Sequence, residues 1–437
     1  MTARIFFLVA LVMPCGLVAQ GNVPVINLPA AMATSVETVG AVLGLRQIEA
    51  GKLLVNDGGR RQIRLFDASL GMSTIVLDST PGLSNSYGPR PTPLVPYLGD
   101  SSLFADRKSK TVLVFDAKGR VARSMAAPAG QDVSWIAGPS SNVDTKGRLI
   151  FLGTARGMPY KKGTGTGFPD SVPLLRVDFD TRRIDTVGMI NRPLARATAP
   201  TRAPNGVTFT MFGIDPLRTV DEWSVLSDGS LAFVRGQDYH IDWVRPDGAK
   251  VSSPKMPFDW KRLTDEEKQK LADSARVAQN EALANDKFES EVTMMTRGDL
   301  TAPPEGGGKS GRGGSSGGGG GEDANVRALS ENGRGYQPRT AEVIPLSEIS
   351  DYYPPIRLGA AMPDLDGHVW ILPTTSAQSQ HGELVYDVVN ASGELFQRVR
   401  LPLGRSIIGF ARGGIVYMAA GDRKNGFHIE RSALATK

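Results

Sequence analysis

One pattern of polar and apolar positions recurs along the chain: an acidic, glycine-containing turn followed at once by a run of about five apolar residues. Its clearest instances are IEAGKLLVND (48–57), DTKGRLIFLG (144–153), LSDGSLAFVR (226–235) and DLDGHVWILP (364–373). Asp-Gly and related pairs let the backbone reverse, and short apolar runs bounded by such turns are typical of strands. The pattern therefore predicts hairpins of short strands rather than long helices.

The spacing of the pattern predicts the architecture. Successive instances lie about 46 to 50 residues apart where no insertion intervenes, which is the period of a four-stranded propeller blade. The last blade contains three clear strands, and residues 33–39 are expected to supply its outer strand and close the ring. The predicted fold class is all-β, a six-bladed β-propeller with blades over 40–78, 92–126, 140–190, 220–256, 356–401 and 405–433.

A second motif accompanies the D-x-x-G-x-L/V turns: a third strand ends on Phe-Asp at Phe66-Asp67, Phe115-Asp116 and Phe179-Asp180. Together with the period, these motifs make the chain resemble six-bladed β-propellers of the NHL and TolB-like kind. The resemblance covers nearly all of the chain outside one insertion. It implies a fold rather than a function, because propellers carry binding, scaffolding and several chemistries. The repeated Asp and Gly residues are accordingly expected to serve turn chemistry.

The strand rhythm stops over 258–350, which is predicted to be an insertion between blades 4 and 5. A helix is expected at about 264–292, because Thr264 and Glu267 form an N-terminal capping pattern. Three roles for this helix stay open: packing against the propeller, binding a partner helix, or lying in solvent. A flexible glycine-rich linker is expected at about 303–323. The predicted apolar stripe of the helix contains Leu271, Ala275, Ala278 and Ala282.

The N-terminus has the pattern of a secretory signal peptide over residues 1–19. Arg4 precedes an apolar stretch, and cleavage is expected near Ala19. This predicts a secreted or periplasmic protein whose mature part is 20–437, with no membrane span. Cys15, the single cysteine, lies within the signal, so the mature chain is expected to lack disulfides and thiolate metal sites.

The predicted topology sorts the loops by length. Turns between the second and third strands, and connections between blades, lie on one side of a propeller; these are the long loops, and they are rich in Arg and Lys. An anionic ligand is the expected partner, either an acidic glycan or a partner protein, although cations also decorate any solvated loop. A net charge of only +5 argues against nucleic acid. The candidate ligand-binding residues are Arg60, Arg61, Arg90, Arg156, Arg192 and Arg235.

Catalytic motifs do not stand out in the sequence. The four histidines are spread along the chain without HExxH, and GGGKS lacks the first glycine of a phosphate loop. No metal and no cofactor is predicted, and Trp135, Trp223 and Trp370 are expected in the core. The preferred function is a binding or scaffolding protein. The alternative is a hydrolase or lyase, lactonase-like or metal-dependent, acting in the central channel.

Overall fold

The computed structural model describes most of the chain beyond the predicted signal. The described residues are 23–80, 83–87, 92–106, 108–127, 133, 141–153, 171–193, 196–197, 201–202, 208–209, 212–284, 343–377, 382–422 and 424–434. The predicted signal peptide, the predicted glycine-rich linker at 303–323, Trp135, Arg90 and Arg156 lie outside them.

Two short strands precede the first blade: β1 (Val25–Asn27) and β2 (Ala33–Thr34). Blades 1, 2 and 3 are four-stranded antiparallel sheets in which each strand pairs with the next along the chain. Blade 1 contains β3 (Val42–Gln47), β4 (Leu53–Asp57), β5 (Gln62–Phe66) and β6 (Ser73–Asp78). Blade 2 contains β7 (Leu94–Pro96), β8 (Ser102–Asp106), β9 (Thr111–Phe115) and β10 (Val121–Ala126). Blade 3 contains β11 (Asn142–Val143), β12 (Leu149–Leu152), β13 (Ser171–Val177) and β14 (Ile184–Asn191).

The second half of the ring repeats this plan. The connection to blade 4 carries two short pairs, β15 (Arg196–Ala197) with β18 (Phe212–Gly213) and β16 (Thr201–Arg202) with β17 (Thr208–Phe209). Blade 4 contains β19 (Glu222–Val225), β20 (Leu231–Arg235), β21 (His240–Val244) and β22 (Lys250–Ser252). Blade 5 contains β23 (Ala361–Pro363), β24 (Val369–Ile371), β25 (Val385–Val389) and β26 (Leu395–Arg400), with a short helix α2 (Thr374–Ala377) after β24. Blade 6 contains β27 (Arg405–Ala411), β28 (Ile415–Asp422) and β29 (Gly426–Ala433).

The N-terminal segment closes the ring, as the sequence predicted. β2 pairs antiparallel with β29 as the outer strand of blade 6, and Val39 forms a further bridge to Phe427. One pairing was not predicted: β1 joins blade 5 as a fifth strand, parallel to β26. The first described residues therefore tie two neighbouring blades together before the chain enters blade 1.

The hydrophobic core lies between blades rather than at one centre. Six clusters of buried residues each join two neighbouring blades. One of them joins blade 6 to blade 1 and so completes the ring. Trp223 packs between blades 3 and 4, and Trp370 packs between blades 5 and 6, so both belong to the core as predicted. This continuous set of contacts confirms a six-bladed β-propeller.

The recurring acidic phrase is an aspartate-capped hairpin turn. In blade 5, Asp364 Oδ1 accepts hydrogen bonds from the backbone N–H of Asp366 at 2.9 Å and of His368 at 2.8 Å. Gly367 has φ 93°, a left-handed conformation that disfavours residues with a side chain. Asp144 caps the matching turn of blade 3 in the same way, accepting from the N–H of Lys146 at 2.9 Å.

The insertion contains helix α1 (Asp265–Ala284), and the rest of the predicted helix, 285–292, lies outside the described residues. The expected cap is present: Glu267 N–H donates to Thr264 Oγ1 at 3.2 Å, and Thr264 N–H donates to Glu267 Oε2 at 2.9 Å. No described helix is long and apolar enough to cross a membrane.

Helix α1 docks on the described ends of the insertion, and its buried face overlaps the predicted stripe in part, since Leu271 packs against this contact. Ala272 is buried against Leu217 and Ile344, whereas Ala278 is exposed. The face is shifted because Lys268 is buried, with Nζ bonded to Ile349 O at 3.1 Å and paired with Asp351. A lysine can line such a contact because its stem is apolar and its charge is paired.

Candidate anion-binding site

The loop-rich face is the side of the propeller that carries the turns between second and third strands and the connections between blades. Hydrogen bonds show that these two kinds of loop meet there. Asp57, at the end of β4, accepts from the N–H of Gly40 at 3.0 Å, just before blade 1. In blade 4, Met256 N–H donates to Tyr239 O at 2.7 Å. The structure thus brings the predicted candidate residues that it describes to one side.

Arg60 and Arg61 occupy the turn after β4 and help to hold blade 1 together. Arg60 donates to Thr38 O and, from Nη2, to Thr38 Oγ1 at 2.9 Å, and its Nη1 lies 3.5 Å from Asp57 Oδ2. Arg61 has φ 56°, in the left-handed region that this turn requires. The Arg60 side chain therefore ties the turn to the segment that closes the ring.

Arg235 is held between two carboxylates. Its Nη1 lies 2.7 Å from Asp221 Oδ2 and its Nε lies 2.7 Å from Asp242 Oδ2, with the guanidinium 5.3 Å from the ring centre of Phe233. Burial opposes its charge, but the hydrogen bonds to Asp242 and Asp221 raise the pKa of Arg235. Two carboxylates already neutralise this guanidinium, which makes it a weak attractor of a further anion.

Arg192 follows β14 at the connection from blade 3 to blade 4. Its Nη2 lies 2.5 Å from Glu222 Oε1, and Glu222 is buried at the start of β19. The ring order places Arg192 and Arg235 at blade 4, opposite Arg60 and Arg61 at blade 1. The four described candidates therefore form two separate groups rather than one site.

Two arginines that the sequence analysis did not select lie in segments that contact Arg192, its neighbour Pro193 or its partner Glu222. Arg218 donates from Nη1 to Pro193 O at 3.0 Å, next to Arg192 in the chain. Arg357 precedes Gly359, whose N–H donates to the same Glu222 Oε1 at 3.0 Å. We call Arg192, Arg218 and Arg357 the arginine trio. Their position in the sequence is the signal that could have identified them. Arg218 stands four residues before β19 (218 to 222) and Arg357 stands four residues before β23 (357 to 361), so each comes just before an inner strand.

The trio carries more positive charge than its described carboxylate partners balance. Glu222 forms an ion pair with Arg192, and the negative charge of Asp215 favours the charged form of Arg218. Within the described ranges, no ion pair reaches Arg357, and its Nε and Nη2 are buried without a hydrogen-bond partner. Burial, and then the charge of Arg192, lower the pKa of Arg218, and burial lowers the pKa of Arg357.

The buried, unpaired edge of Arg357, formed by Nε and Nη2, is the edge through which other arginines of this protein bind carboxylates. Arg405 uses Nε and Nη2 to contact the two oxygens of Glu430 at 3.1 and 2.9 Å. Arg176 uses the same two nitrogens on Asp185 at 3.2 and 2.5 Å. A planar guanidinium matches a carboxylate or phosphate through such paired contacts. What the trio can do chemically is bind and orient an anion.

The three described histidines are each held by near neighbours in different blades. His240 lies between Asp238 at 2.6 Å and Asp242 at 3.2 Å, and His368 Nδ1 lies 2.7 Å from Asp364 Oδ2. His428 Nδ1 lies 2.7 Å from Ser35 O. In the part of the chain that the structure describes, no group of three or more His, Cys, Asp or Glu residues is arranged to hold a metal.

Comparison with known proteins gives structural matches alone. No family model matches the chain, and no curated protein matches it. A member of the DUF4221 family from Bacteroides vulgatus is 11% identical with a TM-score of 0.42, over 93% of this chain and 97% of that one. Virginiamycin B lyase from Staphylococcus aureus is 10% identical with a TM-score of 0.36, over 94% and 98%.

A calcium-binding protein, regucalcin, from Agrobacterium tumefaciens is 11% identical with a TM-score of 0.38, over 94% of this chain and 97% of that one. At such identities and TM-scores these similarities carry no argument about function. The resemblance to the NHL and TolB-like kind stays a prediction.

Proposed function

We propose that this chain is an exported β-propeller binding protein that recognises an anionic ligand on its loop-rich face, at the arginine trio. The observation that carries the proposal is the Arg357 guanidinium, whose Nε and Nη2 are buried without a hydrogen-bond partner, on a segment that also contacts Glu222, the partner of Arg192. Arg60, Arg61, Arg90, Arg156 and Arg235 remain candidate contributors from the sequence, and Arg192 is the candidate that belongs to the trio.

The energetic argument rests on the cost of burying charge. Removing a charged group from water costs several kcal/mol unless a counter-charge and hydrogen bonds replace the lost hydration, which is about the size of an ordinary binding energy. Glu222 supplies part of that replacement for Arg192 at 2.5 Å. A ligand carboxylate or phosphate that reaches the trio supplies the remainder, so ligand binding relieves a cost already present in the folded protein.

Arginine chemistry favours binding over catalysis at this site. A guanidinium stays protonated at any ordinary pH, so it orients and neutralises an anion rather than transferring protons. The alternative, a hydrolase or lyase of the lactonase-like or metal-dependent kind in the central channel, requires a metal or an acid and base pair contributed by several blades. An acidic glycan and the acidic surface of a partner protein both fit a ligand of the proposed charge.

The experiment compares two variants that each remove one positive charge. Arg357→Gln alters the trio, whereas Arg120→Gln alters an exposed arginine, paired with Asp116, in a turn on the opposite side. Binding of polygalacturonate and of polyglutamate is measured by titration calorimetry from about 0.05 to about 0.5 M salt, a range over which exposed charges become screened.

We expect the wild type and Arg120→Gln to bind at least one of these polyanions at low salt. Arg357→Gln should bind at least about tenfold more weakly, a loss of about 1.4 kcal/mol. The proposal fails if the wild type binds neither polymer at low salt, or if both variants lose affinity equally.

A further inference from the structure

A short paired segment at the base of the insertion presents an unusual surface. Arg262 forms an antiparallel bridge with Tyr352, flanked by hydrogen bonds from Leu263 N–H to Asp351 O at 2.8 Å and from Tyr353 N–H to Lys261 O at 3.2 Å. In this non-hydrogen-bonded pairing the side chains of the two opposed residues lie close together on one side. Arg262 and Tyr352 are therefore neighbours on the same surface.

Trp260 stands two positions before Arg262 in the chain, outside the bridged pair. Its ring meets Phe258 edge to face, at 5.1 Å and 88°, and Phe258 meets Tyr239 at 5.8 Å and 72°. Trp260 is nevertheless 49% exposed, and Tyr352 is 44% exposed. The indole is thus held at one edge by the propeller while half of its surface faces solvent.

The surface also carries a loosely paired cation. The side chain of Arg262 is 73% exposed and its Nη2 lies 3.8 Å from Asp351 Oδ2, at the limit of an ion pair. Asp351 is held much closer by Lys268, at 2.5 Å. Arg262 and Tyr352 are therefore exposed neighbours, and Trp260 is a further exposed ring two positions from Arg262 in the chain. We call Trp260, Arg262 and Tyr352 the aromatic platform.

We propose that the aromatic platform binds an acidic sugar, with a pyranose ring stacked on Trp260 or Tyr352 and the sugar carboxylate on Arg262. An aromatic ring offers a large apolar surface to the C–H face of a sugar, and arginine recognises carboxylates in a planar fork. This inference rests on the proposed function and specifies the ligand as an acidic glycan rather than a protein.

Tyr353, the buried residue next to Tyr352, connects the paired segment to Arg357. Lys261 Nζ lies 5.6 Å from the ring centre of Tyr353, the residue after Tyr352. Burial raises the pKa of Tyr353, while the charges of Lys261 and Arg357 lower it, so Arg357 lies within electrostatic reach of the same side chain.

The test uses the full chain and an oligogalacturonate, its fully methyl-esterified form, and polyglutamate as probes. The variants are Trp260→Ala and Arg262→Gln, with Val251→Ala as the control because Val251 is also about half exposed, at 51%, on blade 4. Binding is followed by calorimetry, and circular dichroism with the melting temperature confirms that every variant is folded.

We expect the oligogalacturonate to bind about tenfold more weakly to both platform variants and unchanged to Val251→Ala. The methyl ester should bind the wild type at least about tenfold more weakly than the acid. Unchanged binding to Trp260→Ala, or equal binding of acid and ester, refutes the platform. Binding that depends on Arg357 but not on Trp260 refutes it while leaving the proposed function intact. Binding of polyglutamate alone refutes the choice of a glycan.

Discussion

Gly236 packs directly against the backbone of the segment that leads into Glu222, the partner of Arg192 in the trio. It follows β20, and a Cβ atom added there lies 2.0 Å from Val220 O and 3.0 Å from Val220 C. Because both atoms are backbone, a rotamer change cannot relieve the contact, and the segment before β19 has to move. That segment carries Asp221, which accepts hydrogen bonds from Gly236 N–H at 3.1 Å, Arg235 Nη1 at 2.7 Å and Asn191 N–H at 3.0 Å.

The expected cost of Gly236→Ala follows from those contacts. Overpacking by one methyl group costs about 1–3 kcal/mol, and weakening one of the Asp221 hydrogen bonds adds about 1 kcal/mol. We therefore expect a loss of about 2–4 kcal/mol in the free energy of unfolding. Glu222 follows Asp221 directly, so the same displacement should also weaken polyanion binding at the trio.

The assay is urea unfolding followed by tryptophan fluorescence, which reports on the buried Trp223 and Trp243. Gly71→Ala is the matched control, because a Cβ there meets only side chains, the nearest being Ser69 Oγ at 3.1 Å. A Gly236→Ala protein within about 0.5 kcal/mol of the wild type would refute the reasoning, since that change is typical of unconstrained surface sites.

Three further changes test other parts of the structure. Val39→Ala should cost about 1.5–3 kcal/mol in urea unfolding, because the side chain is fully buried where the N-terminal segment closes the ring; a neutral effect contradicts that closure. Ala272→Asp should lower the melting temperature while Ala278→Asp should not, because Ala272 is buried and Ala278 exposed on helix α1; equal effects mean that the helix does not dock. The hydrogen bond to Asp364 raises the pKa of His368 above 6.5, so the stabilisation is complete below that pH and lost as pH rises through the folded-state pKa. The advantage of the wild type over His368→Gln should therefore be largest at about pH 5 and shrink above about pH 7, and a constant difference across urea titrations contradicts the linkage.

The sequence predicted the ring because its determinants are local. Turns such as Asp364 to Gly367 are specified by a few adjacent residues, and their period reveals the blade. Pairing of β1 with β26 was not predictable. The three residues Val25–Asn27 are too few to form a pattern that identifies a partner strand some 370 positions away (25 to 398). The docked face of helix α1 was predicted in part: Leu271 packs there, but the burial of Lys268 cannot be detected by a count of apolar residues.

The candidate site was predicted less well than the fold, and for a physical reason. Sequence identifies arginines in loops but not their partners, so Arg60 and Arg235, each bound within the protein, looked the same as an available cation. Arg218 and Arg357 stood in segments just before inner strands rather than in the longest loops. Pairing and burial distinguish these groups, and both depend on contacts between distant parts of the chain.

The central claim is that anion recognition resides at the arginine trio on the loop-rich face. The most direct test is the affinity at low salt for polygalacturonate and for polyglutamate, measured side by side for the wild type and for Arg357→Gln and Arg120→Gln, which each remove one positive charge. The comparison uses whichever polymer the wild type binds. The claim predicts measurable binding for the wild type, an affinity within about twofold of it for Arg120→Gln, and a loss of about tenfold or more for Arg357→Gln. Equal affinities for the two variants would contradict it.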